Sequence, residues 1–183
     1  MRKLYFTRHG QTIWNVENKI CGSTDIALTE LGHGQAVRLG QRIKEEGLPI
    51  QEILASPLIR AKNTAEHIAE ITGIPMHVEE LLREQNFGVF EAEPRDSIEF
   101  LEAKKQFANR FGSGESMLMV AKRVYTLLDR LAKEDKVYLL VAHNGIARVV
   151  HSYFYDMENE EYAKHSIKNC ALEEYCWQET VGK

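Results

Sequence analysis

Two apolar runs in this chain end in the same way, and that repetition constrains the fold more than any other feature. Val137-Tyr138-Leu139-Leu140-Val141-Ala142 is continuous and runs straight into His143-Asn144-Gly145. Leu4-Tyr5-Phe6-Thr7 runs just as directly into Arg8-His9-Gly10. A short run without polar alternation is the pattern of a strand covered on both faces, as in a parallel sheet. Ile50–Ala55, closed by Ser56-Pro57, is a further strand, and Met76–Glu79 is a weaker one. Between them lie helical stripes. Ala36, Leu39 and Ile43 follow an N-cap at Thr29 and end at Gly47-Leu48-Pro49. Leu58, Ala61, Ala65 and Ile68 end at Gly73-Ile74-Pro75, and Met117, Val120, Val124, Leu127 and Leu131 make the longest stripe. Each stripe is expected to face the core. The alternation predicts an α/β fold, a three-layer α/β/α sandwich around a mostly parallel central sheet. The tail from Asn169 to Trp177 is expected to return as an edge strand.

With 183 residues the chain has the length of one domain, taken as 1–183. Twenty-three Lys+Arg against 27 Asp+Glu leave a net charge of −4. That balance excludes a general nucleic-acid footprint but not a local basic pocket. The three cysteines, Cys21, Cys170 and Cys176, contain no C-x-x-C pair, which argues against a disulfide framework or a zinc ribbon. The basic N-terminal residues lead into an apolar run too short for a secretory signal, and no stretch approaches the roughly 20 apolar residues of a membrane span. A cytoplasmic protein without membrane or nucleic-acid partners is expected.

In open parallel sheets ligands bind at the carboxyl ends of the strands. Here those ends carry His9 and His143, each followed within two residues by Gly, and the second strand leads five residues past Ala55 to Arg60. Neutral imidazole is a competent nucleophile near neutral pH. An arginine fork matches phosphate oxygens, and glycine lets backbone N–H groups approach an anion closely. The combination points to a phosphoryl pocket.

These residues extend into a longer pattern. Thr7-Arg8-His9-Gly10-Gln11-Thr12-Ile13-Trp14-Asn15 followed by Gly22–Gly32, then Ser56–Ala61, Leu82–Glu91, Gly114-Glu115-Ser116 and Val141–Gly145, resemble in order the motifs of the histidine phosphatase superfamily, the phosphoglycerate mutase-like proteins. The resemblance implies that His9 attacks the phosphoryl group and carries it as a phosphohistidine. It implies that Arg8, Arg60 and His143 hold the phosphoryl oxygens and that Asn15 adds a donor. Glu84 is implied as the acid that protonates the leaving alcohol and then as the base for water. Asn144, Cys21 and Gly22 fall at positions implied to line the phosphate and substrate site. The implied reaction uses a small phosphorylated substrate, no metal and no cofactor. For His9 to present a free lone pair, its other ring nitrogen should donate to a backbone carbonyl near Gly10.

The chain departs from the family pattern at three places. Cys21 stands where relatives often carry Gln, Phe90-Glu91-Ala92 where they read Trp-Glu-Gly, and Met119 where an acidic residue commonly follows Gly-Glu-Ser. None removes a catalytic group. A phosphomonoesterase is expected, with a phosphoglycerate mutase or a non-catalytic phospho-ligand-binding protein as alternatives. A mutase needs extra basic residues over the mouth. In the segment 92–113, expected to form a small helical cap with Phe100, Ala103 and Phe107 on one face, Arg95, Lys104, Lys105 and Arg110 are offset by Glu93, Asp96, Glu99 and Glu102. That balance favours hydrolysis. His33, His67, His77, His151 and His165 match no metal-ligand spacing and are expected to be structural or exposed. Oligomeric state is not legible.

Overall fold

A computed structural model describes residues 2–177. Five strands form one sheet in the order β3-β2-β4-β1-β5: β1 (Lys3–Arg8), β2 (Glu52–Ala55), β3 (Met76–Val78), β4 (Tyr138–Ala142) and β5 (Leu172–Cys176). The first four run parallel, and β5 is antiparallel to β1 at the edge. Helices α2 (Glu30–Glu45) and α3 (Ile59–Thr72) cover one face, burying Leu39, Ile43, Ala61, Ala65 and Ile68 against Tyr5, Ile53, Leu139 and Val141. Helices α5 (Met117–Leu131) and α6 (Asn144–Phe154) cover the other, where Val120, Val124, Leu127 and Val150 meet Leu4, Phe6, Leu54 and Leu140. Successive strand residues point to opposite faces, so Leu139 and Leu140 serve two different cores. This is the expected three-layer α/β/α sandwich, and the apolar strands lack alternation because both faces are covered.

Register positions the chemistry. β1 and β4 pair in step from Leu4 opposite Tyr138 to Arg8 opposite Ala142, so His9 and His143 leave the sheet side by side. The His9 amide continues the ladder by donating to Ala142 O at 2.9 Å, and Ser56 N donates to Val141 O at 3.0 Å. Three strands therefore end at one level. The short helix α1 (Ile13–Val16) follows, with a capping box in which Thr12 and Asn15 exchange side-chain-to-backbone bonds.

Residues 92–113 are less helical than expected. Only α4 (Ile98–Ala103) is an α-helix, capped by Ser97. The remainder is held by aromatic packing: Phe100 lies 5.5 Å from Phe87 and 5.4 Å from Phe90, and Phe111 lies 6.1 and 5.7 Å from the same two rings. Phe107 does not share the Phe100 face and packs on Tyr162 instead, at 5.9 Å. Tyr162 belongs to α7 (Asn159–Lys164). Gly112 and Phe111 both have positive φ, 79° and 56°, which the interior of a right-handed helix does not accommodate.

Ala92 sits at φ 71°, where the related pattern carries glycine. A Cβ in the left-handed region costs roughly 1–2 kcal/mol, of which glycine's own entropy cost takes back about 0.5–1 kcal/mol. Ala92→Gly is expected to raise stability by about 0.5–1 kcal/mol, read as a higher urea midpoint at unchanged slope. A lower midpoint would show that Ala92 is not strained.

Candidate active site

At the carboxyl ends of β1 and β4 lies a cleft of about 110 Å³ lined by Arg8, His9, Asn15, Cys21, Glu84, Asn144 and Gly145, with Arg95, Lys104 and Arg148 higher on its walls. His9 is buried on its floor. Its Nδ1 lies 2.7 Å from Gly10 O. A carbonyl only accepts, so Nδ1 carries the proton and Nε2 keeps its lone pair. Burial, then the charges of Arg60 and Arg8, hold the His9 imidazole well below its usual titration range, outweighing the opposite pull of the Gly10 carbonyl. It is therefore neutral at physiological pH.

Beside it stands His143, ring centroids 5.2 Å apart. Ser56 Oγ bonds His143 Nε2 at 2.7 Å, while His143 Nδ1 is buried without a protein partner. Burial and the neighbouring Arg60 and His9 hold His143 well below its ordinary range too. Arg60 is fully buried at the start of α3, its Nη1 donating to Thr24 O at 2.9 Å and its Nη2 to Gly22 O at 2.7 Å. Arg8 donates from Nη1 to Ile167 O at 3.0 Å. Burial, reinforced by Arg95, brings its guanidinium down to about 10, still charged at neutral pH. The Nε atoms of Arg8 and Arg60 are both buried without a partner. Buried donors without acceptors are costly in a folded protein, so this cluster is built for an anion.

Glu84 hangs over the cleft from the loop after the turn Glu80–Leu82. Gln85 N donates to its Oε1 at 2.9 Å and Gly145 N to its Oε2 at 3.0 Å. A Cβ at residue 145 would sit inside van der Waals contact with the Glu84 carboxylate. Glycine there lets the carboxylate reach the strand end.

The structure gathers the expected residues with differing roles. Arg60 and His143 lie beneath the cleft rather than on its wall. Asn15 lines it, with Oδ1 tied to Thr12 N at 3.1 Å, which leaves the amide NH₂ as the donor end. Asn144 lines it with Oδ1 accepting from Ser166 Oγ and Ile167 N. The Cys21 thiol, raised by burial, lines it and contacts Thr24 O at 3.7 Å. Gly22 does not reach the cleft as a donor. Its N–H is taken by Glu91 Oε2 at 3.1 Å and its carbonyl by Arg60. It fastens the wall instead.

Glu91 does more than its place in a motif indicates. Its carboxylate accepts from the amides of Gly22, Ser23, Thr24 and Phe87 and from Thr24 Oγ1 at 2.7 Å. It thereby holds the loop whose carbonyls hold Arg60. Glu115 does the same for the Glu84 loop, accepting from Asn86 N at 3.1 Å and from Arg123 Nε and Nη2, each at 3.1 Å. Met119, the third departure, is exposed at 40%, and its side chain makes no hydrogen bond in this network among the described residues. Among the other histidines, His33 and His67 bond each other at 2.8 Å. His151, His165 and Glu173 come within 4.8 Å of one another, a proximity the linear spacing conceals. The two rings stack at 4.1 Å and 21°, so their lone pairs lie side by side rather than converging.

The chain matches the model of the histidine phosphatase superfamily (branch 1) over residues 4–182. It belongs to that superfamily. It is 33% identical over 189 residues to the probable phosphoglycerate mutase GpmB of Yersinia pestis, covering 98% of this chain and 87% of that one. Its fold superposes on a mycobacterial glucosyl-3-phosphoglycerate phosphatase complexed with VO3 at TM-score 0.83 and 27% identity, over 95% and 90% of the two chains. It also superposes on a putative alpha-ribazole-5'-P phosphatase from Escherichia coli at TM-score 0.80, with 22% identity and coverages of 95% and 90%. Among the described residues no helix is long and apolar enough to cross a membrane.

The buried neutral imidazoles predict acid sensitivity. Below about pH 6.5 the unfolded chain binds protons at His9 and His143, whereas the folded chain resists protonation at both. Stability is therefore full above that pH and falls as pH drops, by up to about 1.4 kcal/mol per pH unit for each histidine. Urea midpoints measured between pH 7.5 and 5 check this, and added inorganic phosphate should raise the midpoint at every pH.

Proposed function

We propose that this protein is a metal-independent phosphomonoesterase that acts on a small phosphorylated substrate through a phosphohistidine on His9. The observation that carries this reading is the neutral His9, proton fixed on Nδ1 by Gly10 and Nε2 free, beside Arg8 and Arg60, which form no ion pair among the described residues. In the first step His9 Nε2 forms a bond to phosphorus as the ester P–O bond breaks. The proton of Glu84 passes to the leaving oxygen. In the second step water attacks phosphorus, gives a proton to the Glu84 carboxylate, and the N–P bond breaks to release phosphate. Arg8, Arg60 and the free nitrogen of His143 meet the equatorial oxygens, where charge accumulates. The three free cysteines suit a reducing cytoplasm.

A mutase reading is favoured by one observation, the basic side chains Arg95, Lys104 and Arg148 on the upper walls, and by the likeness to a probable phosphoglycerate mutase. Phosphorus NMR of 3-phosphoglycerate with and without a bisphosphoglycerate primer separates the two. Inorganic phosphate released without primer supports hydrolysis, and primer-dependent isomerisation without release overturns it.

His9→Ala is expected to abolish hydrolysis of an aryl phosphate, by at least about 10³-fold in kcat, together with acid-labile labelling of the protein by a phosphorylated substrate. Glu84→Gln is expected to cut kcat about 10²–10⁴-fold for esters with poor leaving groups, and far less for p-nitrophenyl phosphate. Equal losses across leaving groups would remove Glu84 from the acid role.

A further inference from the structure

Asn169 lies in the tail between α7 and β5, outside every motif of the site, and is half-buried behind the cleft rather than on its wall. Its side-chain Nδ2 donates to the His9 carbonyl at 2.7 Å and to Asn15 Oδ1 at 3.3 Å. One amide thus reaches both the backbone of the nucleophile and a neutral donor of the pocket. Other bonds hold the tail in place here. Cys170 N donates to Arg8 O at 2.9 Å, and Thr7 Oγ1 donates to Ala171 O at 2.7 Å. The pairing of the tail with β1 therefore does not depend on the Asn169 side chain.

The pattern of donors and acceptors decides which way each amide points. A backbone carbonyl only accepts, so Asn169 must present its NH₂ to His9 O. The same NH₂ faces Asn15, which must then present Oδ1. Thr12 N donates to that oxygen as well, at 3.1 Å. With both lone pairs of Oδ1 engaged, a flipped Asn15 amide would set its NH₂ against two donors. Its NH₂ is thereby kept for an anion in the cleft. His9 is held by the same contact. Its carbonyl shares a peptide with Gly10 N, which donates to Thr64 Oγ1 at 3.0 Å. The next peptide carries Gly10 O, the acceptor for His9 Nδ1, and Gln11 N, which donates to Gln35 Oε1 at 2.8 Å. Each polar group of these two peptides has a partner, and Asn169 is the one supplied by the tail. Without it the His9–Gly10 peptide is held on one side only, and the carbonyl that fixes the His9 proton can shift.

We infer that Asn169 is a positioning residue for phosphoryl transfer, whose single amide aligns the His9 nucleophile and turns the Asn15 donor toward the phosphoryl oxygens, a role that rests on the phosphohistidine chemistry proposed above. Asn169 touches no reacting atom and acts through His9 and Asn15. Small displacements matter in such a reaction, since a misplacement of about 1 Å can cost about 10²-fold in rate.

A double-mutant cycle with Asn15 tests this role, read in kcat/KM for p-nitrophenyl phosphate and in the calorimetric affinity for inorganic phosphate. Asn169→Ala is expected to lower kcat/KM about tenfold or more and to weaken phosphate about threefold or more. In the Asn15→Ala background the same change should cost about threefold or less in kcat/KM and almost nothing in phosphate affinity, because the donor it turns is gone. A loss that is merely structural would multiply by the same factor in both backgrounds. Asn169→Leu keeps the branched shape, carries no donor and adds no charge, so it repeats the cycle without opening a gap behind His9. Wild-type kcat/KM and phosphate affinity in Asn169→Ala or Asn169→Leu would overturn the role, as would equal factors with and without the Asn15 side chain. If no form turns over while the phosphate affinities remain coupled, the hydrolase reading is overturned and the positioning role of Asn169 stands.

Discussion

The pairing of β1 with β4 is the interaction on which the rest of the structure depends. Ten residues in register, from Leu4 opposite Tyr138 to Arg8 opposite Ala142, bring two strand ends more than 130 positions apart in sequence to one point. No local propensity could place His9 beside His143; parallel strands reach one another only through long crossovers. The pair is buried on both faces, and its backbone ladder cannot slip without moving Tyr5 and Phe6 into the wrong cores. A one-residue slip would also separate the two imidazoles. Packing and catalytic geometry are thus set by one register.

On that frame the protein buries charge in two different ways. Glu91 and Glu115 are anions satisfied in full by backbone amides and Arg123, and they fix the loops that carry Arg60 and Glu84. Arg60, by contrast, spends two nitrogens on the carbonyls of Gly22 and Thr24 and keeps a buried Nε unpaired. The carbonyls orient its guanidinium without an ion pair, and its positive charge acts on His9. That field and burial act in the same direction, and both favour the neutral imidazole that a nucleophile requires.

The sandwich, the sheet's parallel character, the returning edge strand and the convergence of His9, His143 and Arg60 were all legible in the sequence, because each follows from a run of residues or an ordered set of motifs. Two things were not. Gly22 sits in a motif, yet its N–H and carbonyl are consumed by Glu91 and Arg60, a pairing between positions far apart in sequence. The cap segment looked balanced because charges were counted along the chain, whereas α4 is six residues long and the rest turns on left-handed residues at Ala92, Phe111 and Gly112. Short helices and turns place neighbouring residues on opposite sides, so sums along such a segment say little about its faces.

The overall charge of −4 and the basic cleft then make a consistent pair. Acidic side chains outside keep a chain soluble and discourage polyanions from settling over its surface. Cations confined to a recess with low-dielectric walls concentrate the local field there, and only a ligand small enough to enter can neutralise it. A long anionic polymer would meet the exposed side of the cap, where Glu93, Asp96, Glu99 and Glu102 outnumber Lys105 and Arg110, before it met Arg95 or Lys104. The same cap that carries the recess's bases thus screens them, and selection by size and selection by charge become one property of its two faces.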